Sequence, residues 1–160
     1  MKNSLPPLVK EIKNGKVTWD RVENIDHEVL GYFLSCHLII EHYLHEFMCA
    51  RWPDADWDAA QLKFSQKVSI LNEFKISDKY DCIPAIKHMN KLRNKLSHNI
   101  DYQISSQDLL PMIQYLEKVY ESKQNIPTGV LEILDSFTSM VCVLFAGGIS
   151  GLADQKKLQR

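Results

Sequence analysis

The chain has 160 residues, 45% of them apolar and 24% charged, with a formal net charge of −1. That is one ordinary domain with enough apolar chain for a real core, and the near-neutral balance excludes a polycation that holds nucleic acid by global attraction. The four cysteines, Cys36, Cys49, Cys82 and Cys142, form no CxxC pair, so the expectation is a cytoplasmic, reducing setting without a disulfide framework.

The opening Met1–Pro7 lacks the apolar core of a signal peptide. Leu8 to Lys13 reads as a short first helix stopped by Asn14-Gly15, within an N-terminal segment 1–22. The first long helix is expected from Asp26 to Arg51. Val29, Phe33, Cys36, Ile40, Tyr43, Leu44 and Phe47 recur there mostly at spacings of three and four. Leu30, Leu34, Leu38, Ile39 and Met48 widen its apolar stripe, enough for more than one packing partner. On the edge of that stripe lie His37, Glu41 and His45. A row on one helix lacks the converging geometry of a metal site, so it is read as a polar boundary and no metal or cofactor is expected. Glu41 is instead expected to fix Arg93 through a bidentate bond.

Trp52-Pro53 to Trp57 is a loop, its two tryptophans expected to anchor it to the core. One helix is then expected from Ala59 to Phe74, with Leu62, Phe64, Val68, Leu71 and Phe74 on its apolar side. After the connector Ile76–Asp81, with Asp81 as a cap, comes a helix from Cys82 to His98. Ile86, Met89, Leu92 and Leu96 form its core face, and Asn99 is expected to end it in a left-handed conformation. Ser105-Ser106 caps the next helix, Gln107 to Glu121, which turns Leu109, Met112, Ile113, Leu116 and Val119 inward. A last helix starts near Thr128 and runs toward Leu152, weakened at Gly147-Gly148, and the tail from Gln155 to Arg160 frays. No stretch is read as a strand. The fold class is all-α, a five- to six-helix bundle. Ser136 to Ala153 carries no charge and contains Gly147-x-x-x-Gly151. Its serines, threonine and glycines favour a buried core or dimer helix over a membrane span.

The chemistry concentrates in Lys91-Leu-Arg-Asn-Lys-Leu-Ser-His98. A helix turns about 100° per residue, so Asn90, Asn94 and His98 share one row, with Arg93 and Ser97 beside it. Lys87, Lys91 and Lys95 form a parallel basic row, and no acid occurs from Cys82 to Ile100. An imidazole that moves a proton near neutral pH, beside a guanidinium that keeps its charge, suits chemistry on a phosphodiester. The competing reading is structural: cations near the last carbonyls of a helix are favoured by its dipole, by about 0.3–1 kcal/mol each. For the lysine row a solvated face is the simpler reading.

Arg93-Asn94-x-x-x-His98, at the end of a helix that follows a long apolar one, resembles the signature of the HEPN superfamily. Leu62-Lys-Phe64-Ser-Gln-Lys67-Val-Ser-Ile-Leu71 and Met89-Asn90-Lys-Leu-Arg93-Asn94 also resemble bacterial members. The helix order is similar to that of mannitol-operon-repressor-like proteins. The resemblance covers about Asp26 to Tyr120, a core over 26–122, with a weaker echo in the apolar helix 127–154. It implies a symmetric homodimer whose two motifs face each other and cut RNA without a metal, leaving a 2′,3′-cyclic phosphate. It further implies Arg93, Asn94 and His98 as catalytic, Glu41, Asn90 and Ser97 as supporting, and Lys91 and Lys95 as RNA-binding. Two functions follow as expectations. One is an endoribonuclease, a toxin or phage-defence effector with a cognate antitoxin. The other is a non-catalytic regulator or immunity protein, repressor-like, that binds another protein. A Walker loop, a Rossmann glycine pattern, a GxSxG elbow and zinc-spaced Cys/His are absent from the sequence.

Overall fold

A computed structural model describes residues 9–19, 25–73, 77–99, 102–121 and 125–158. It is an all-α bundle of six helices with one small β-hairpin. The strands are β1 (Val9–Lys13) and β2 (Lys16–Trp19); the helices are α1 (His27–Arg51), α2 (Trp57–Ala60), α3 (Phe64–Ile70), α4 (Ile83–His98), α5 (Leu110–Tyr120) and α6 (Val130–Leu158).

α1 starts where Asp26 accepts the Val29 N–H at 3.0 Å, a side-chain cap on an otherwise orphaned donor. It runs beside α6 in the same direction. Tyr32 donates to Asp135 at 2.8 Å near one end, and Lys156 Nζ donates to the Ala50 carbonyl at 3.1 Å near the other. Phe33, Ile40, Leu44 and Phe47 of α1 and Ile133, Phe137 and Val141 of α6 are fully buried between them. Ile86 and Met89 of α4 and Met112 and Leu116 of α5 complete the core. Leucine- and phenylalanine-sized side chains buried this way supply roughly 1.5–3 kcal/mol each, the main stabilising contribution of the fold.

Several expectations need correction. Residues 9–13 form no helix. Lys13 pairs with Lys16 across a two-residue turn, with positive φ at Asn14 (50°) and Gly15 (73°). That is what a tight hairpin turn requires of both central residues, and Asn-Gly meets it at low cost. Leu8 lies outside the described residues. The helix expected over 59–74 is broken. Gln61 adopts a left-handed φ of 45°, Leu62 is outside any helix, Lys63 is extended, and α3 restarts with the Gln66 side chain accepting the Lys63 N–H at 2.8 Å. Phe74 and Ile76 lie outside the described residues.

Asp81 does cap α4, accepting the Ile83 N–H at 3.2 Å. Asn99 ends α4 in an extended conformation (φ −138°, ψ 99°), not a left-handed one. Ser105 opens the next helical stretch as expected, its N–H and hydroxyl both reaching the Asp108 carboxylate. A 3₁₀ turn over 106–109 precedes α5.

α6 passes through Gly147-Gly148 without a break and continues to Leu158, well past the expected end. Gly148 serves the packing: a Cβ there would lie 2.8 Å from the Phe47 ring, so the missing side chain lets α6 close on α1. Gln159 and Arg160 lie outside the described residues. By length and composition α6 also meets the requirement for crossing a membrane. Its Ile133, Leu134, Phe137, Val141 and Phe145 are nevertheless buried within the bundle.

Candidate functional site

A groove of about 550 Å³ opens where three elements meet. α1 contributes Leu34, His37, Leu38 and Glu41. The start of α3 contributes Lys63, Phe64 and Ser65. α4 contributes Asn90 and, one turn on along the same face, Arg93 and Asn94. The expected Asn90–Asn94 row and the Arg93 beside it therefore do face one cleft, together with Glu41.

Arg93 is exposed and, among the described residues, has no ion-pair partner. Glu41 is not its partner. Its Oε1 takes Lys67 Nζ of α3 at 3.2 Å, in a pair whose side chains are 29% and 14% exposed. α3 brings its ammonium to the α1 boundary, and the carboxylate is engaged there. The pair ties α3 to α1 behind the groove.

The remaining motif residues lie outside the groove lining. His98 is exposed, one turn beyond Asn94, a rise of about 6 Å along the axis. Ser97 is exposed, and its hydroxyl donates to the Asn94 carbonyl at 2.8 Å, inside the same helix. Lys91 is exposed. Lys95 turns the other way. Its Nζ sits 3.7 Å from the centre of the Tyr102 ring and 4.0 Å from Asp108. Lys87 donates to the Asn72 side chain at 2.6 Å. The basic row is thus divided among local partners and solvent.

The residue that pattern reading undervalued is His37. It is 5% exposed, stacked on Phe64 with ring centres 4.1 Å apart. Burial pushes its pKa below 6.5; the Asn90 amide and Glu41 pull it up, and Arg93 pushes it down. The ring is therefore neutral near pH 7, with one nitrogen a donor and the other an acceptor. Nε2 is buried without a hydrogen bond of good geometry to any described residue, although the Asn90 amide approaches the ring. Its signal in the sequence was the His37–Glu41 spacing of four, read as an ordinary helix edge. His45, next in that row, diverges to Asp58 (3.3 Å) and Cys49 Sγ (3.5 Å). Trp57 packs against the core as expected, donates to the Trp52 carbonyl at 3.2 Å and meets the exposed Trp52 ring edge to face, so Trp57 anchors the loop and Trp52 rests on it.

The fold and groove define an all-α bundle with a part-apolar, part-polar cleft beside an exposed guanidinium. Compared with family models, curated proteins and solved structures, the chain matches none.

Proposed function

We propose that the chain is a HEPN-type endoribonuclease that works without a metal, as a homodimer, in the role of a toxin or phage-defence effector restrained by a cognate antitoxin. The observation that carries this reading is Arg93: a fixed cation, exposed at a groove and unpaired among the described residues, with the His98 imidazole exposed about one and a half turns further along α4. A guanidinium without a carboxylate keeps its fork of N–H donors for a phosphate.

In this mechanism His98 takes the proton of a ribose 2′-hydroxyl. The freed oxygen attacks the adjacent phosphorus, the bond to the 5′-oxygen breaks, and that oxygen leaves with a proton from a second imidazole. The products are a 2′,3′-cyclic phosphate and a 5′-hydroxyl. Acid and base together need two imidazoles, which a second copy of the chain supplies through its own His98. Arg93 meets the charge that grows on the phosphate, and Asn94 orients the phosphate beside it. Lys91 draws in the RNA backbone; Lys95, engaged with Tyr102 and Asp108, contributes less. Ser97 supports the last turn of α4. The test is cleavage of structured and unstructured RNA in the presence of a chelator. Cleavage by the wild-type protein and none by His98→Ala supports the reading; no cleavage, or cleavage that His98→Ala leaves intact, refutes it.

One observation favours the second reading, a non-catalytic regulator or immunity protein. Leu34, Leu38 and Ile39 are 38%, 65% and 44% exposed on α1, beside the groove. Apolar surface of that kind suits a protein partner. A stable complex with a partner protein, formed equally by His98→Ala and without RNA cleavage, distinguishes this reading from the first.

A further inference from the structure

The groove contains more than a phosphate requires. A phosphate needs a cation and a few N–H donors, and Arg93 with Asn94 already supplies them. The rest of the lining is of another kind. Leu34, Leu38 and Phe64 offer apolar surface, and besides Lys63 and Glu41 the polar side chains there are the uncharged His37, Asn90 and Ser65. The volume, about 550 Å³, is in the range of sites that enclose a small organic ligand. Beneath it lies His37, whose Nε2 is buried without a hydrogen bond of good geometry and has the Asn90 amide near it. Buried polar nitrogens are normally hydrogen-bonded, so an imidazole with only the Asn90 amide beside it marks His37 and Asn90 as the polar floor of the groove.

Flat faces that suit apolar walls, and an edge carrying both donors and acceptors, describe a nucleobase. Asn90 can present a donor and an acceptor at once, and the neutral His37 ring adds one of either kind. We propose that this groove is a base-reading subsite. It takes the base of the nucleotide whose phosphate Arg93 holds, with Leu38 and Phe64 against the ring and Asn90 and His37 at its polar edge. The proposal rests on the ribonuclease reading for its substrate, RNA, and adds to it a preference for the base beside the cut.

The experiment is equilibrium binding of the four nucleoside 3′-monophosphates and of inorganic phosphate to the full chain, by titration calorimetry without divalent cations. The wild-type protein is expected to bind at least one nucleotide tenfold or more tighter than inorganic phosphate, and to rank the four bases. Asn90→Ala is expected to shrink that ranking by roughly tenfold, the worth of one well-placed hydrogen bond. Leu38→Glu tests the wall independently. Leu38 is 65% exposed, so the fold tolerates the change, and the new carboxylate is expected to weaken all four nucleotides tenfold or more. Four nucleotides that bind no tighter than phosphate overturn the proposal, as do a ranking that survives Asn90→Ala and nucleotide binding that ignores Leu38→Glu. Should Asn90→Ala fail to fold, Leu38→Glu decides alone. The two readings fail separately. Ranked nucleotide binding without any RNA cleavage refutes the nuclease and leaves the subsite. Cleavage that is indifferent to the neighbouring base and to Asn90→Ala refutes the subsite and leaves the nuclease.

Discussion

The two flanks of α4 use the same kind of residue in opposite ways. On the flank facing the 106–109 turn, the polar groups are committed. His88 Nε2 lies 2.7 Å from the Asp108 carbonyl, and Lys95 lies over the Tyr102 ring and near the Asp108 carboxylate. Asp108 in turn accepts from the Tyr102 hydroxyl, the Ser105 hydroxyl and the Ser105 N–H. Burial pushes its carboxyl pKa up, but these donors and the Lys95 charge outweigh that and hold it below the usual carboxylate range. On the groove flank, Arg93 has no such carboxylate among the described residues, and Glu41, which lines the same groove, is held by Lys67. The comparison separates charge used to fasten one element to another from charge kept for a ligand. Net charge along the helix does not make that distinction; the neighbours do.

The sharpest way to break this contrast is to remove one cation from each flank. Arg93→Ala is expected to lower RNA cleavage by about 10²–10³-fold, the usual cost of losing one group that meets transition-state charge. It is expected to change stability by no more than about 0.5 kcal/mol, because the side chain is exposed and unpaired among the described residues. Single-turnover cleavage and thermal melting of the same sample check both halves. Asp108→Ala should do the reverse. It removes the acceptor of three hydrogen bonds and is expected to cost about 1–3 kcal/mol, read as roughly 2–4 °C of Tm per kcal/mol, with cleavage little changed.

His37 sharpens the picture through pH. Its folded pKa lies below the unfolded value of 6.5, so in that window the unfolded chain binds the proton that the folded chain refuses. Its contribution is full above pH 6.5 and is lost as pH falls. The Tm of the wild-type protein should therefore drop more steeply between about pH 7.5 and 5.5 than that of His37→Gln, by scanning calorimetry at matched ionic strength. The smallest effect is expected at Lys95. Its side chain is 53% exposed, so Lys95→Ala should cost only about 0.2–1 kcal/mol, and less at high salt.

How much of this was legible depended on whether a feature is local. α1, α4 and α5 were placed within a few residues because Phe33, Ile40 and Phe47, or Ile86, Met89 and Leu92, repeat at helical spacing and are buried in fact. The hairpin was missed although Asn14-Gly15 is the strongest short hairpin signal there is. Its strands carry mostly exposed residues, so no alternation announced them. The break at Gln61 had no sequence mark, since glutamine is an ordinary helix former; α2 and α3 on either side of it each pack on α1. At the site, the α4 row could be read from spacing alone. The pairing of Glu41 with Lys67 and the burial of His37 under Asn90 could not, because each depends on where α3 crosses α1. Gly148 was read as a weakness because the Phe47 ring that requires it lies a hundred residues away.

The central claim is that Arg93 and His98 act together on one phosphodiester. It is tested most directly by the ends of the cut RNA, from a single purified preparation kept in chelator. The account predicts a 2′,3′-cyclic phosphate and a 5′-hydroxyl from the wild-type protein, with both lost in His98→Ala and in Arg93→Ala while each variant melts like the parent. A 3′-hydroxyl with a 5′-phosphate, or unchanged ends and yield in either variant, would contradict it.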